Sequence, residues 1–559
     1  MPGGRRYGAR SGARSAIPSE EPERSAKRGH GLAELPFFAG EEGRGHLLAL
    51  LFFLSLLVVT IWGTWQGVLP ATDEAVLAQT AREILTTGDA RTMHFDGMPV
   101  YDTPPLVPWL MSFFFLIFGV NVFAARFAFV LLSILTCYVV YLAGKRAAEY
   151  WDAAANGSAP AAETCDPGTQ RPPRTHWGSL ATAIGLLAAT ILASTPRFGR
   201  FAPHITLGLP FAFFGALALL GWLSLPDKRA GSVLWGIGIA GALLSAGGGG
   251  FLIIIGAAIA SLVERNRRGL WRKPAFILAT FLGVCIGGLW LFPAAAASGR
   301  GFFGNPLWTP LSEIIRPQGR PSSLLLGSLA SLWLASLPWA IPATFAAGRI
   351  IFSTGNRRRC GNVHEIDEAL LIFSAVIFLP LAIAGAEAAS SFLPVLPFIA
   401  ILCAREIARW LRRPGKDLAK RVWTVNHVMT ALFCLLMLLV TATPLRLRHV
   451  SSDSIREVAR MAERMTSEGT RVGNFMQPHR EQCARMLFYG NRSLDESAAS
   501  PSDVAALLRS DPRRVFLSSG RDFDALRRSE AFPFDIHVLY GAGDLVLFGA
   551  REPGANDVP

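Results

Sequence analysis

Long runs of apolar residues recur along the chain at lengths that suit a hydrocarbon layer about 30 Å thick. They predict spans near 46–63, 123–143, 178–194, 205–223, 232–248, 250–263, 274–293, 324–348, 369–386, 391–409 and 424–443. Residues 64–122 break the pattern: polar side chains are placed between two amphipathic stretches. Thr72 or Asp73 can cap a helix over Glu74–Leu85, whose apolar face is Val76, Leu77, Ala81, Ile84 and Leu85. Asp96-Gly97 signals a turn. Pro104-Pro105 then opens an apolar helix over Leu106–Phe118.

After residue 443 the apolar positions come in short groups. Ser454–Thr466 has helical spacing, Arg471–Met476 reads as a strand, and Glu481–Tyr489 and Val504–Arg509 read as helices. Val515–Ser518, His537–Tyr540 and Leu545–Phe548 read as strands. Such alternation predicts a small α/β domain. The expected fold class is therefore a polytopic α-helical membrane protein with about eleven transmembrane helices, interfacial helices in the first outer loop, and a small C-terminal extracytoplasmic α/β domain. The expected division is a disordered leader over 1–45, a membrane domain over 46–443 with its first outer loop at 64–122, and the α/β domain over 444–559.

Composition agrees with the spans. Of 559 residues 51% are hydrophobic and only 17% charged, against roughly a quarter charged in soluble proteins; mean hydropathy is +0.35. The formal charge of +13 would suggest nucleic acid in a soluble chain. Its distribution points elsewhere. Alternate loops on one side hold 30 Lys and Arg, and those on the other hold 7. The positive-inside rule makes the first side and the N-terminus cytoplasmic and the C-terminal domain extracytoplasmic. Leu106–Phe118 must then lie along the membrane surface, because a crossing there would invert the bias. The seven cysteines show no CxxC or CxxH spacing, and Cys483 alone falls in the C-terminal domain.

The chemistry concentrates in the outer loops. Asp73 and Glu74 stand at a helix start beside the membrane, where the helix dipole favours acids and a nearby substrate would meet them. Capping alone also accounts for acids in that place.

The order of span, Thr72-Asp73-Glu74, helix, Gly88-Asp89, then Asp96-Gly97-Met98-Pro99-Val100-Tyr101-Asp102-Thr103-Pro104-Pro105-Leu106 resembles the start of polyprenyl-phosphate-dependent glycosyltransferases of the GT-C fold. The nearest group is the aminoarabinose transferase and protein O-mannosyltransferase type, and the resemblance covers about 62–146. It implies that Asp73 is the catalytic acid with Glu74 as its neighbour, and that Asp102 stands beside the donor phosphate. Arg200 and His204 fall in a second outer loop resembling the family's. There an Arg is usually followed four residues later by Asp, a place held here by His204. Thr103 stands where aminoarabinose transferases carry a lysine.

The implied reaction moves a sugar from a polyprenyl-phosphate carrier to an envelope glycan, lipid or protein acceptor on the outer face of the cell's inner (plasma) membrane. A carboxylate such as Asp73 can act as general base. Cations can hold the phosphate, with Arg200 and then Arg126 favoured among the outer-face arginines. His94 and His204, with Asp73 or Asp102, offer oxygen-plus-imidazole ligation of the kind that suits Mg, Mn or Zn. Two scattered histidines are not in themselves a metal site. Phe302, Phe303, Trp308 and Arg316, in the loop Ala294–Ser323, are expected to cover the site. Two other readings stay open: a catalytically altered relative that binds polyprenyl-phosphate lipids, and a transporter. Few charges fall in mid-span, which disfavours transport.

Overall fold

A computed structural model describes residues 51–56, 69, 73–155, 177–201, 204–225, 230–297, 321–353, 365–383, 389–412, 418–442, 454–467, 469–477, 479–529 and 535–550. The expected leader, Thr72, and residues 298–320 of the expected covering loop lie outside these.

In the first loop, α1 (Asp73–Thr87) is followed by a hairpin of β1 (Met93–Phe95) and β2 (Met98–Val100), then by α2 (Leu106–Phe118). The hairpin turns at Asp96 and Gly97, both at positive φ (55° and 74°), as a two-residue turn matching strand twist requires. Pro105 caps α2, so the predicted start and end hold to the residue. Phe113, Leu116 and Ile117 on α2 are exposed apolar residues.

Beyond it run α3 (Val122–Ala155), α4 (Trp177–Ser194), the short α5 (Pro196–Phe201), α6 (Gly208–Ser224), α7 (Ala230–Ala246), α8 (Phe251–Val263) and α9 (Pro274–Ala297). Helices α6 and α7 approach closely because glycines line their contact. A Cβ on Gly221 would lie 2.4 Å from the Trp235 nitrogen, and one on Gly238 would lie 2.6 Å from that of Ala218. Among the described residues four helical segments are long and apolar enough to cross a membrane: Val122–Glu149, Ala230–Val263, Pro274–Ala297 and Ile366–Ile383. On α9 the side chains of Leu278, Phe281 and Leu289 are exposed, as expected of a face turned to lipid.

The stretch expected as one span over 324–348 is two helices, α10 (Pro321–Ala335) and α11 (Ala340–Ser353). They are separated by a turn at residues 336–339, where Pro338 supplies no backbone N–H to a helix ladder. Next come α12 (Glu365–Ile383), α13 (Leu396–Leu411) and α14 (Leu418–Ala442). Buried Asp367 on α12 receives Arg405 Nε at 2.5 Å and also pairs with Arg409, while Glu406 takes Arg349 Nε at 3.0 Å. These pairs tie α11, α12 and α13 together. They also neutralise part of the basic excess that marked their loops.

The C-terminal segment has α15 (Ser454–Met465), β3 (Val472–Phe475), α16 (His479–Gly490), β4 (Leu494–Ala498), α17 (Pro501–Ser510), β5 (Phe516–Ser519), α18 (Gly520–Arg527), β6 (His537–Ala542) and β7 (Leu545–Gly549). Its five strands lie in the order β4-β3-β5-β7-β6. Strand β3 is parallel to both β4 and β5, and β7 is antiparallel to β5 and β6. One sheet face buries Ile455, Val458 and Met486, and the other buries Val504, Leu508 and Phe523. Crossover helices between parallel strands account for this two-sided core.

Candidate active site

Helix α1 sets two adjacent acids in different surroundings. Asp73 is exposed and Glu74 is buried. Glu74 Oε2 receives Arg126 Nη2 at 3.1 Å, and its Oε1 lies 2.7 Å from His204 Nδ1. These partners come from α3 and from the loop after α5. Arg126 is as buried as the carboxylate, whereas the His204 side chain is 40% exposed. The free N–H groups of the first turn of α1 and two nitrogen partners together stabilise a carboxylate in a buried position.

The hairpin is anchored to the same helix. Buried Glu83 accepts the Asp96 and Gly97 N–H groups at 2.8 and 3.1 Å, and the Gln79 amide at 2.8 Å. The chain leaving the hairpin carries Asp102, whose Oδ1 accepts the Thr103 hydroxyl at 3.0 Å. Asp102 Oδ2 lies 3.5 Å from Arg480 Nη2, on α16 of the C-terminal segment.

That segment closes over the first loop through several such contacts. Arg82 of α1 donates to the Leu487 and Phe488 carbonyls at 2.5 and 3.2 Å and to Asn491 Oδ1 at 3.2 Å. The Leu69 N–H donates to Tyr489 Oη at 2.8 Å, and Ser493 Oγ donates to Asp96 Oδ2 at 2.7 Å. Burial lowers the Arg82 pKa, with Glu463 and Glu83 opposing the shift. The Asn491-Arg492-Ser493 triplet is thus occupied in this contact.

Of the residues picked out in the sequence, Glu74, Arg126 and His204 meet in one cluster with Asp73 beside them on α1. Asp102 joins Arg480. Arg200 is exposed, with its guanidinium 5.7 Å from the centre of the Phe201 ring. His94 lies across the hairpin from Pro99, with its Nδ1 buried and without a partner among the described residues. Asp89 is a charged neighbour, and none of these contacts joins His94 to Glu74. Among the described residues no group of three His, Cys, Asp or Glu side chains could hold a metal.

Arg197, three residues before Arg200, is buried against Ser331 Oγ at 2.8 Å and over the Phe392 ring at 5.5 Å. Burial lowers its pKa. No carboxylate pairs with it among the described residues. Phe392 packs on Phe378, which lines an apolar cavity of about 270 Å³ with Leu332, Ser336, Ala343, Val395 and Ile399. Arg480 and Tyr489 have no signal in the sequence, because only the docking of the C-terminal segment brings them to Asp102 and Leu69.

Comparison with known proteins bears on the fold. A model of the dolichyl-phosphate-mannose-protein mannosyltransferase family matches residues 102–164. The crystal structure of ArnT from Cupriavidus metallidurans bound to undecaprenyl phosphate is similar with a TM-score of 0.64 at 16% identity, covering 92% of this chain and 98% of that one. The apo form of that protein gives 0.61 with the same identity and coverage. An uncharacterized protein of Aquifex aeolicus (strain VF5) is 24% identical over 384 residues, 68% of each chain. The chain shares the GT-C fold of these ArnT structures, and several of its helices are long and apolar enough to cross a membrane.

Proposed function

We propose that the chain is a membrane glycosyltransferase that moves a sugar from a polyprenyl-phosphate carrier to an envelope glycan, lipid or protein acceptor. The reaction takes place at the outer face, with the N-terminus cytoplasmic and the C-terminal segment extracytoplasmic. One observation carries this reading: Glu74, Arg126 and His204 converge from three separate segments immediately beside exposed Asp73.

Asp73 acts as general base and takes the proton of the acceptor hydroxyl. The acceptor oxygen bonds to the anomeric carbon as the bond from that carbon to the phosphate oxygen breaks. The polyprenyl phosphate leaves carrying the negative charge. Glu74, held on both oxygens, fixes the start of α1 and so aims Asp73, which has no ion pair among the described residues. Arg197, Arg200 and Arg480 supply positive charge for the departing phosphate. The apolar cavity near Phe378 suits an isoprenoid tail.

A second reading, polyprenyl-phosphate binding without transfer, draws on Thr103 and His204, which stand where related sequences carry a lysine and an acid. The deciding experiment presents the protein in membranes with polyprenyl-phosphate donors bearing different radiolabelled sugars. Appearance of label in a non-carrier product supports transfer. Donor binding without label release from any sugar supports the second reading.

A further inference from the structure

Among the described residues, the seam between α16 and the first loop holds individual donor groups that lack an acceptor. Tyr489 Oη accepts the Leu69 N–H at 2.8 Å, which leaves its own proton to give, and no acceptor for it is present among the described residues. Arg485 precedes Tyr489 by four positions, so the two side chains lie on one face of α16. Its contact to Gln482 Oε1 is long, at 3.4 Å. Its Nε is shielded from solvent and unpartnered, and no carboxylate pairs with it among the described residues.

The surroundings are positive. Burial pushes the Tyr489 hydroxyl above its ordinary pKa, while the Leu69 N–H, Arg485 and Arg456 of the C-terminal segment, and Arg126 across the seam pull it down. Arg485 is lowered by burial, with only Tyr489 opposing. Among these groups Arg126 is the one already matched by an acid, Glu74.

A half-buried guanidinium without a counterion is unfavourable, and an arriving anion offsets that cost. A place rich in donors and poor in acceptors selects a group that only accepts. Beside the outer end of the first span, where Leu69 lies, the abundant group of that kind is a lipid phosphate.

We propose that Arg485 and Tyr489, with Arg126 opposite them, form an oxyanion site for a phosphate group at the seam between the C-terminal segment and the first loop. The C-terminal segment thereby contributes binding groups and is more than a cover. The inference rests on the proposed function only for the source of the phosphate, a lipid-linked donor as against a phospholipid headgroup.

The test measures equilibrium binding to the full chain in nanodiscs of zwitterionic lipid. The probes are polyprenyl monophosphate, phosphatidylglycerol and inorganic phosphate. Arg485→Met should weaken polyprenyl monophosphate binding about tenfold or more, and Tyr489→Phe severalfold, as expected for lost charge-assisted and hydroxyl donors. Arg485→Lys should recover part of the loss. Arg509→Met, which removes an exposed charge on α17, should change nothing. The thermal midpoint of Arg485→Met should hold or rise, whereas a merely structural arginine would lower it.

Equal polyprenyl monophosphate binding by wild type and Arg485→Met overturns the inference and leaves the donor reading intact. Arg485-dependent binding of phosphatidylglycerol or inorganic phosphate, with no binding of polyprenyl monophosphate, keeps the oxyanion site and removes the donor reading. Absence of any Arg485-dependent anion binding overturns the inference.

Discussion

The Glu74 carboxylate lies 2.7 Å from Nδ1 of His204, a residue 130 positions further along the chain. With Arg126 on its other oxygen at 3.1 Å, Glu74 is committed to holding three segments together. Asp73, one residue earlier, is exposed. In the proposed mechanism the two neighbouring acids divide the work, Glu74 positioning and Asp73 performing the chemistry.

Removing one side of the buried pair should therefore cost stability. Glu74→Ala leaves the Arg126 guanidinium buried without its carboxylate, a loss of about 3–5 kcal/mol. Thermal melting of Glu74→Ala, Arg126→Ala and the double variant should show strong non-additivity, with the double variant no worse than the poorer single. Simple addition of the two losses would mean that the pair is not coupled.

Arg82 caps the last carbonyls of α16 and should control how firmly the C-terminal segment is seated. A charged donor to carbonyl oxygens is worth about 2 kcal/mol. In Arg82→Ala, amide exchange over residues 487–491 should speed up by tenfold or more, while exchange within α15 stays as in wild type.

Glu83 holds the hairpin turn from inside. Glu83→Ala strands the Asp96 and Gly97 N–H groups, at a cost of about 1–3 kcal/mol. The expected signature is faster exchange at those two amides and looser placement of Asp102. Unchanged exchange would show that the turn residues hold the hairpin unaided.

Much of this local structure was legible in the chain. Pro104-Pro105 and the apolar run after them mark α2 to the residue, and Asp96-Gly97 marks the turn. The partners of these elements were not legible, since nothing in Glu74 announces His204, and nothing in Asp102 announces Arg480. Strand β4, Leu494–Ala498, was missed because its middle is Asp-Glu-Ser, which suits an edge strand more than an apolar core. Helix α18 is short and polar on one side, so its periodicity does not stand out. The single span expected over 324–348 divides because hydropathy averages across the turn at residues 336–339.

Cys483 offers a check on the C-terminal packing. Burial pushes its thiol above the ordinary value near 8.5, and Asp96 adds to the shift. A raised thiol pKa means less thiolate at a given pH. Alkylation of Cys483 at pH 8, followed by mass spectrometry, should therefore be slow in the folded protein and rapid once it is denatured. Labelling at the rate of an exposed thiol would contradict the seating of α16 against β4.

The most direct test of the central claim replaces Asp73 with Asn and follows sugar transfer from a radiolabelled polyprenyl-phosphate donor, once wild-type transfer has been established. Asp73 is exposed and Glu74 carries the local ion pairs, so the variant should keep its melting temperature. Its transfer rate should fall by about 100-fold or more, as loss of a general base requires. Transfer at the wild-type rate by a folded Asp73→Asn protein would contradict the assignment.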